Sequence, residues 1–510
     1  MGGPGRERAA GVTTPFNAAE AEQFRTLVAR RLGLQFEDAK LGFLADVLRR
    51  RVESTRGPVD AYLSRLEAVA ARDEIRALAQ ELTVAETYFF RNIEQFHAFA
   101  SVALPDRLRA QSSRRRLRIL SAGCASGEEA YSIAMLVRDA PADQSWDISI
   151  RGVDINPAGL RKAVGARYST WALREAPPDI QQRWFRRIGR EVALQTAALG
   201  CVTFEERNLA DDDAELWMPG AYDVVFCRNV IMYFTPESAE ALIARIGRSL
   251  APGGYLFLGH AETLRGLSLD FHLRHTHGTF YYQRKEGVEC SAAPYVADAA
   301  PPAVATFVEA GDSWVDVIRG AAERVRALTP SAAAPALATM PPSSGWDLTL
   351  ALDLVRQERF GEALEVVRAL PPDAAFDPDV LLLHAVLLAH KGQLLRAEEA
   401  CQLLLGIDEL NAGAHYVLAL CREGAGDRRG AAHHDQVAVY LDATFAMPRL
   451  HLGLLARHAG NRDAARQEFR QALALLRRED ASRLLLFGGG FTRDTLTALC
   501  RAGIEACGAA

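Results

Sequence analysis

The sequence has no cysteine pair spaced C-x-x-C; its cysteines, at 124, 201, 227, 290, 401, 421, 500 and 507, are scattered. That scatter excludes a disulfide framework and the usual zinc patterns, and it suits a reducing cytoplasm. There is no excess of positive charge. With 59 Lys+Arg against 64 Asp+Glu the net charge is −5, which excludes a nucleic-acid binder that works through a global basic field. Long hydrophobic runs are missing too. The longest, Val380 to Ala389, is broken by His384 and falls far short of the ~20 apolar residues that span a bilayer. The N-terminal MGGPGRERAAGVTTPF has no apolar core behind its charges, so no secretory signal is expected. Its Met1-Gly2-Gly3 start carries Arg6 where myristoylation needs Ser or Thr. What is present is ordinary globular composition, 49% hydrophobic and 24% charged over 510 residues. That length predicts about three domains.

One stretch breaks the pattern. From about Cys290 to Ser344 the chain is rich in Ala and Pro, and residues 287–343 read as a linker. Ser313 to Leu328 is amphipathic and predicts a short helix inside it. Beyond the linker, Gly392, Gly426 and Gly460 recur every 34 residues, with Glu358 in the same phase. Small residues stand seven positions before (Ala351, Ala385, Ala419, Gly453) and an alanine five after (Ala363, Ala397, Ala431, Ala465). Small side chains let two helix backbones approach, and glycine turns the chain between them. The period and phases resemble the tetratricopeptide repeat. Residues 344–477 are expected to form four degenerate repeats with a concave groove suited to a protein or peptide. Arg422 and Asp435 occupy phases that are normally apolar. Residues 478–510 are expected to cap the array, with Phe491 to Cys507 as a helix over its open end.

Residues 17–95 are helical in pattern, with Phe24, Leu27, Val28, Leu32 and then Leu41, Leu44, Val47, Leu48 at helical spacing. Over 96–286 the pattern alternates. Strands are predicted at 117–122, 148–154, 202–206, 222–227, 255–259 and 279–283, and helices at 128–138, 157–166 and 236–250. Alternation of this kind predicts a mainly parallel sheet flanked by helices.

The first strand runs into Ser121-Ala122-Gly123-Cys124-Ala125-Ser126-Gly127-Glu128-Glu129 and then a helix. Glycines at such a turn let a ligand approach the backbone. The turn lacks the Lys-Ser/Thr of a phosphate loop, and two carboxylates at its mouth would repel a pyrophosphate. They suit a ligand with a positive charge. Asp154 ends the second strand, where a carboxylate can accept ribose hydroxyls. Together these features favour S-adenosylmethionine over a dinucleotide. No His/Cys/Asp/Glu cluster calls for a metal. Cys124 and Cys227 read as packing residues.

TYFFR, SAGCASGEEAYSIAM, VDINPAGLRKA, FEERNLAD, FCRNVIMYF, LAPGGYLFLGHAE and FYYQRK, in this order over about residues 20 to 285, resemble the chemotaxis protein methyltransferases, the CheR family. The resemblance implies a multidomain chain: an N-terminal helical domain, an α/β Rossmann-like S-adenosylmethionine-dependent methyltransferase domain, and here a C-terminal α-solenoid of TPR type. It implies S-adenosylmethionine as donor, S-adenosylhomocysteine as product, and glutamate side chains on chemoreceptor cytoplasmic helices as acceptors. Carried over by motif, the cofactor contacts are Thr87, Arg91, Glu128, Asp154, Asn208, Leu209, Asn229 and Val230, with Arg91 and Tyr233 nearest the methyl group. The family's usual Asn-Glu-Thr is Ala85-Glu86-Thr87 here, so an amide that helps hold the cofactor is missing. The resemblance also implies a basic helix facing acidic receptor helices, for which Arg49, Arg50, Arg51, Lys40 and Arg56 are the candidates. His260 follows the fifth strand and is expected to shape the site. The segment between Phe185 and Val202 is short, which points away from tethering of a receptor peptide through an inserted β-subdomain.

The reading is a protein-glutamate O-methyltransferase of chemosensory signalling, cytoplasmic and recruited to receptor arrays, whose repeats bind another protein. Two alternatives stand beside it: a scaffold with weak cofactor binding that acts through its repeats, and a methyltransferase for another protein acceptor.

Overall fold

A computed structural model describes residues 18–286 and 348–508, apart from 69–70, 84–85, 141–144, 196–199, 358, 372–373 and 375. The predicted linker with its helix, Cys290 and Ala85 lie outside the described residues. The chain forms two compact units, divided at Val288.

In the first unit α1 (Ala18–Leu32), α2 (Leu41–Thr55), α3 (Val59–Glu67) and α4 (Arg72–Leu82) build a small helical domain. Its core is the predicted stripe of Phe24, Leu27, Val28, Leu44, Val47 and Leu48, closed by Tyr62, Leu63, Leu66 and Leu78. The exit from α1 needs Gly33, whose φ is +72° and where a Cβ would strike the Phe234 ring at 2.8 Å. That close approach lets Gln35 N–H donate to the Tyr233 carbonyl at 2.8 Å and Thr235 N–H to the Gly33 carbonyl at 2.8 Å. Helices α5 (Ile93–Ala98) and α6 (Leu104–Ala110) follow.

The sheet is built from β1 (Arg116–Ala122), β2 (Asp147–Asp154), β6 (Val202–Glu206), β7 (Tyr222–Cys227), β8 (Leu250–Leu258), β9 (Phe271–Thr276) and β10 (Thr279–Arg284). Its order is β6-β2-β1-β7-β8-β10-β9. β1 lies parallel between β2 and β7, and the β9–β10 hairpin joins β8 antiparallel. Helices α7 (Glu128–Asp139), α8 (Pro157–Gly165), α9 (Pro178–Trp184) and α10 (Pro236–Ser249) complete the layers. β7 is buried along its whole length, as a central parallel strand must be. Phe226 stacks on Phe257 with centroids 4.6 Å apart, and Phe257 stacks on Tyr281 at 5.3 Å.

The short segment after Trp184 supplies two strands of a small second sheet, and a third comes from before it. β3 (Arg167–Ser169), β4 (Phe185–Ile188) and β5 (Glu191–Leu194) make an antiparallel sheet of order β3-β5-β4. Gly189, at φ +61°, lets β4 return directly as β5. β9, which no strand prediction covered, is the other addition.

The second unit is a run of helix pairs: α11 (Thr349–Arg356) with α12 (Phe360–Arg368), α13 (Pro378–His390) with α14 (Leu394–Ile407), α15 (Ala412–Gly424) with α16 (Arg428–Leu441), and α17 (Ala446–His458) with α18 (Arg462–Leu476). Gly392, Gly426 and Gly460 have φ of +69°, +84° and +77°, the left-handed turn their phase predicted. Ala363, Ala397, Ala431 and Ala465 are fully buried. The two polar departures are compensated. Arg422 pairs with Glu398 at 2.6 Å, and Asp435 with the His451 imidazole at 2.7 Å. Two helices follow, α19 (Ala481–Phe487) and α20 (Arg493–Ala506). α20 packs on α18, with Gly503 against the Phe469 ring. α19 turns the other way, onto the first helices of the pairs. It packs against α11 and α13, and Phe487 lies 5.8 Å from the Tyr416 ring and 5.0 Å from the Phe445 ring. The face expected to lie open as a groove thus already holds part of this chain.

Candidate active site

The site begins at the C-terminal edge of β1 and β2. Gly123 (φ +78°), Ala125 (φ +47°) and Gly127 (φ +89°) bend the β1–α7 turn, and Gly123 and Cys124 N–H groups donate to the Val153 carbonyl at 2.8 and 3.0 Å. A Cβ on Gly123 would meet Val230 Cγ2 at 2.5 Å. The turn and the loop after β7 are therefore in direct contact.

Asp154 accepts Ala125 N–H on Oδ2 and Asn156 N–H on Oδ1, each at 2.8 Å. Burial pushes the carboxyl above its ordinary range, and three backbone donors, Asn156, Ala125 and Ile155, oppose that rise. Asn156 caps α8 through Ala158 and Gly159 N–H, and its amide reaches Thr83 Oγ1 at 3.1 Å. The end of β2 is thereby held to the helical domain.

The two glutamates of the turn have separate surroundings. Glu128 is fully buried, accepts from Ser126 Oγ at 2.7 Å and faces Lys162 at 3.5 Å. Glu129 accepts from Ser121 Oγ at 2.7 Å and pairs with Arg228 at 3.2 Å. Burial pushes its carboxyl up, while the Arg228 charge, the Ser121 bond and the Arg91 charge pull it down. Of the two, Glu129 is the one inside the field of Arg91.

The TYFFR segment brings Arg91 in from the other side. Its guanidinium sits 5.7 Å from the Tyr88 ring centroid, and Nη1 donates to the Glu86 carbonyl at 2.9 Å. Among the described residues no carboxylate lies within ion-pair distance of Arg91. Arg228, buried at the end of β7, donates through Nη2 to the Arg91 carbonyl and to Asn92 Oδ1. It ties this segment to the β7 loop. Burial lowers the Arg228 guanidinium pKa, and Glu129 opposes the shift.

The β7 loop carries Asn229 (φ +57°), Val230 and Tyr233, the last 39% exposed. It is organised by the last residue of the LAPGGYLFLGHAE motif. Glu262 Oε2 accepts Asn229 N–H and Gly259 N–H, both at 2.7 Å, and Oε1 accepts Met232 N–H at 3.2 Å. His260, expected to shape the site, is exposed; Glu262, two residues on, is buried and does so. Its sequence signal is its place as the last residue of the LAPGGYLFLGHAE motif, just after a buried strand.

Thr87, the first residue of the TYFFR segment, is half-buried, and Leu209 is buried with its carbonyl accepting from Arg245. Asn208 spends its amide on the Arg31 carbonyl at 2.9 Å and on Asp211, so its side chain joins domains. Cys124 and Cys227 are buried, and burial pushes both thiols well up, which leaves them inert packing residues. The arginines of α2 are not a free basic face. Arg49 pairs with Asp46, Arg50 with Glu81 and Arg51 with Glu74, each at 2.8 Å.

The Asp154 carboxylate at the end of β2, the Glu129 carboxylate and a glycine turn in contact with Val230 fit a nucleoside bearing a positive charge. Among the described residues no group of three or more His, Cys, Asp or Glu side chains is placed to hold a metal ion. Fold and site define a Rossmann-like methyltransferase that uses S-adenosylmethionine as donor. The model of the CheR methyltransferase SAM-binding domain matches residues 85–280. Chemotaxis protein methyltransferase 2 of Vibrio cholerae is 34% identical over 269 residues, covering 52% of this chain and 93% of the relative. The probable biofilm formation methyltransferase WspC of Pseudomonas putida is 29% identical over 447 residues, 88% of this chain and 96% of the relative. Its Pseudomonas aeruginosa counterpart is 27% identical over 459 residues, with the same coverage. The chain belongs to the CheR methyltransferase family. Among the described residues no helix is long and apolar enough to cross a membrane.

Proposed function

We propose that the protein methylates glutamate side chains on the cytoplasmic helices of chemoreceptor-type proteins, forming methyl esters. The observation that carries the reading is Arg91: a guanidinium with no carboxylate partner among the described residues, fixed beside the glycine turn by the Arg228 contact to its carbonyl. Such a fork is a guide for an incoming carboxylate. An acceptor glutamate, with a pKa near 4.3, is already ionised at neutral pH and needs no general base. S-adenosylmethionine, when bound, supplies an electrophilic methyl group on a sulfonium. The chain's own part is alignment. Asp154 and Glu129 would hold the ribose and amino ends, Asn229 and Val230 would line the nucleoside, and Arg91 and Tyr233 would stand at the acceptor side. Orientation of two reactants contributes about 7–11 kcal/mol. Glu129 replaces Glu128 in this assignment, because Glu128 is enclosed with Ser126 and Lys162. Loss of one negative charge changes repulsion between neighbouring receptor carboxylates and so shifts the receptor's signalling state.

One observation favours a particular setting. The WspC relatives align along 88% of this chain, including helix pairs beyond the methyltransferase domain, whereas the chemotaxis relative aligns along 52%. This supports a receptor of a biofilm-controlling pathway as acceptor, with the helix pairs binding a protein of that pathway. The test is transfer of labelled methyl from S-adenosylmethionine to a receptor cytoplasmic fragment. Base-labile label that disappears in Arg91→Ala is expected. No label on any receptor fragment, with no cofactor binding by calorimetry, would turn the reading to a scaffold.

A further inference from the structure

Beside Arg91 stands a surface that the family motifs do not include. The turn after β3 carries Trp171, Arg174 and Glu175, and it is built around the TYFFR segment. Phe89 N–H donates to the Ala172 carbonyl at 2.9 Å. Glu175 accepts the Tyr88 hydroxyl at 2.9 Å and Asn92 N–H at 3.3 Å. Arg174 lies between two rings, its guanidinium carbon 3.3 Å from the Tyr88 centroid and 3.2 Å from that of Trp171. Trp171 is nonetheless 55% exposed.

Two features make this more than packing. Arg174 and Arg91 both sit against the ring of Tyr88, and among the described residues neither has a carboxylate within ion-pair distance. Glu175 touches the same tyrosine through its hydroxyl and Glu129 lies in the field of Arg91, but neither closes an ion pair with a guanidinium, so both cations stay open to an incoming anion. A tryptophan left half in water beside them adds an apolar contact area of the kind that anchors a partner. Met232, next to Tyr233 in the β7 loop, is also 58% exposed.

We propose that Trp171 and Arg174 form the docking platform for the acceptor helix, reading a second carboxylate on the same helix face as the glutamate that Arg91 receives. This rests on the glutamate-acceptor reading above. Both arginines border one ring, so the two carboxylates would stand within about two helical turns, ~11 Å, of each other. Trp171 would lie under the apolar residues between them. The platform selects the acceptor and leaves the methyl-transfer step to Arg91 and Tyr233. Because Glu175 and Ala172 clasp Tyr88, Phe89 and Asn92, the platform and the acceptor guide move as one body.

The experiment is initial-rate methylation of a receptor cytoplasmic fragment by wild type, Trp171→Ala, Arg174→Gln and Arg174→Glu, with S-adenosylmethionine affinity measured in parallel. The expected result is a 5- to 20-fold rise in KM for the fragment, kcat within about twofold, and cofactor affinity unchanged. A fragment whose carboxylates flanking the acceptor are changed to Gln should lower wild-type efficiency and leave Arg174→Gln unaffected. Arg174→Glu should recover on a fragment with those carboxylates changed to Lys. Base-labile labelling by wild type with KM unchanged in the variants would overturn the platform and leave the acceptor reading intact. A fall in kcat together with lost cofactor affinity would also overturn it, since the turn would then be a structural clamp. No labelling by wild type would overturn both.

Discussion

Arg228 Nη1 lies 3.2 Å from Glu129 Oε2, joining the end of β7 to the start of α7 across the mouth of the glycine turn. Both side chains are almost wholly removed from water. A buried pair of this kind adds little net stability over an apolar replacement, but breaking it strands a charge and costs about 3–5 kcal/mol. Arg228→Met should therefore lower unfolding free energy of the first unit by that amount in denaturant titration. Arg228→Met with Glu129→Gln should cost less than the single change. Activity should fall in both, because Arg91 loses the contact to its carbonyl.

Glu262 is expected to act on the cofactor through the backbone. Its carboxylate accepts three N–H groups from Gly259, Asn229 and Met232. Glu262→Gln puts an amide donor against one of them. The expected cost is about 1–3 kcal/mol of stability, with weaker S-adenosylmethionine binding by calorimetry because Asn229 and Val230 shift. A His260→Ala variant should bind normally.

Asp154→Asn tests the ribose contact. Hydrogen bonds to a charged acceptor contribute about 1.5–3 kcal/mol, so affinity should fall roughly 10- to 100-fold. Burial raises the Asp154 pKa in the folded protein. Its ionised form is lost as pH falls through that raised value, and wild-type affinity should decline there. The Asn variant should show a flatter profile.

His451 sets the pH response of the second unit. It lies 2.7 Å from Asp435 and 3.1 Å from Glu423, with all three side chains buried. Burial disfavours the imidazolium, but the two carboxylates outweigh it and hold the pKa well above 6.5. A folded pKa above the unfolded one gives stability that is complete below about pH 6.5 and lost as pH rises through the folded value. Unfolding of this unit should become easier on the alkaline side. His451→Leu, which strands two carboxylates, should cost about 3–5 kcal/mol at neutral pH and remove that alkaline loss.

Phe487 holds α19 on the repeats. It is buried against Tyr416 and Phe445, and Arg483 adds an ion pair to Asp442 at 2.9 Å. Phe487→Ala should cost about 3–5 kcal/mol and open residues 478–492 to protease while α20 stays protected. Unchanged cleavage would mean that α19 is held mainly by its ion pairs.

Much of this protein is determined by its sequence alone. Helical and strand periods mark the first two helices and six of the seven main strands, because burial on one side or both writes itself into the order of residues. The 34-residue phases foretold the glycines at positive φ and the buried alanines, since backbone contact allows little else there. The motifs single out Arg91, Asp154 and Asn229 as candidates for the site. Tertiary structure alone decided what those residues meet. It separated Glu128, enclosed with Lys162, from Glu129, turned toward Arg91; adjacent positions on a helix point about 100° apart, and sequence does not say which one faces the cleft. It paired the arginines of α2 internally, supplied Glu262 from a distant strand end, and laid α19 along the inner face of the repeats. These are contacts between residues far apart in the chain, governed by charge and shape at close range, and local pattern carries no record of them.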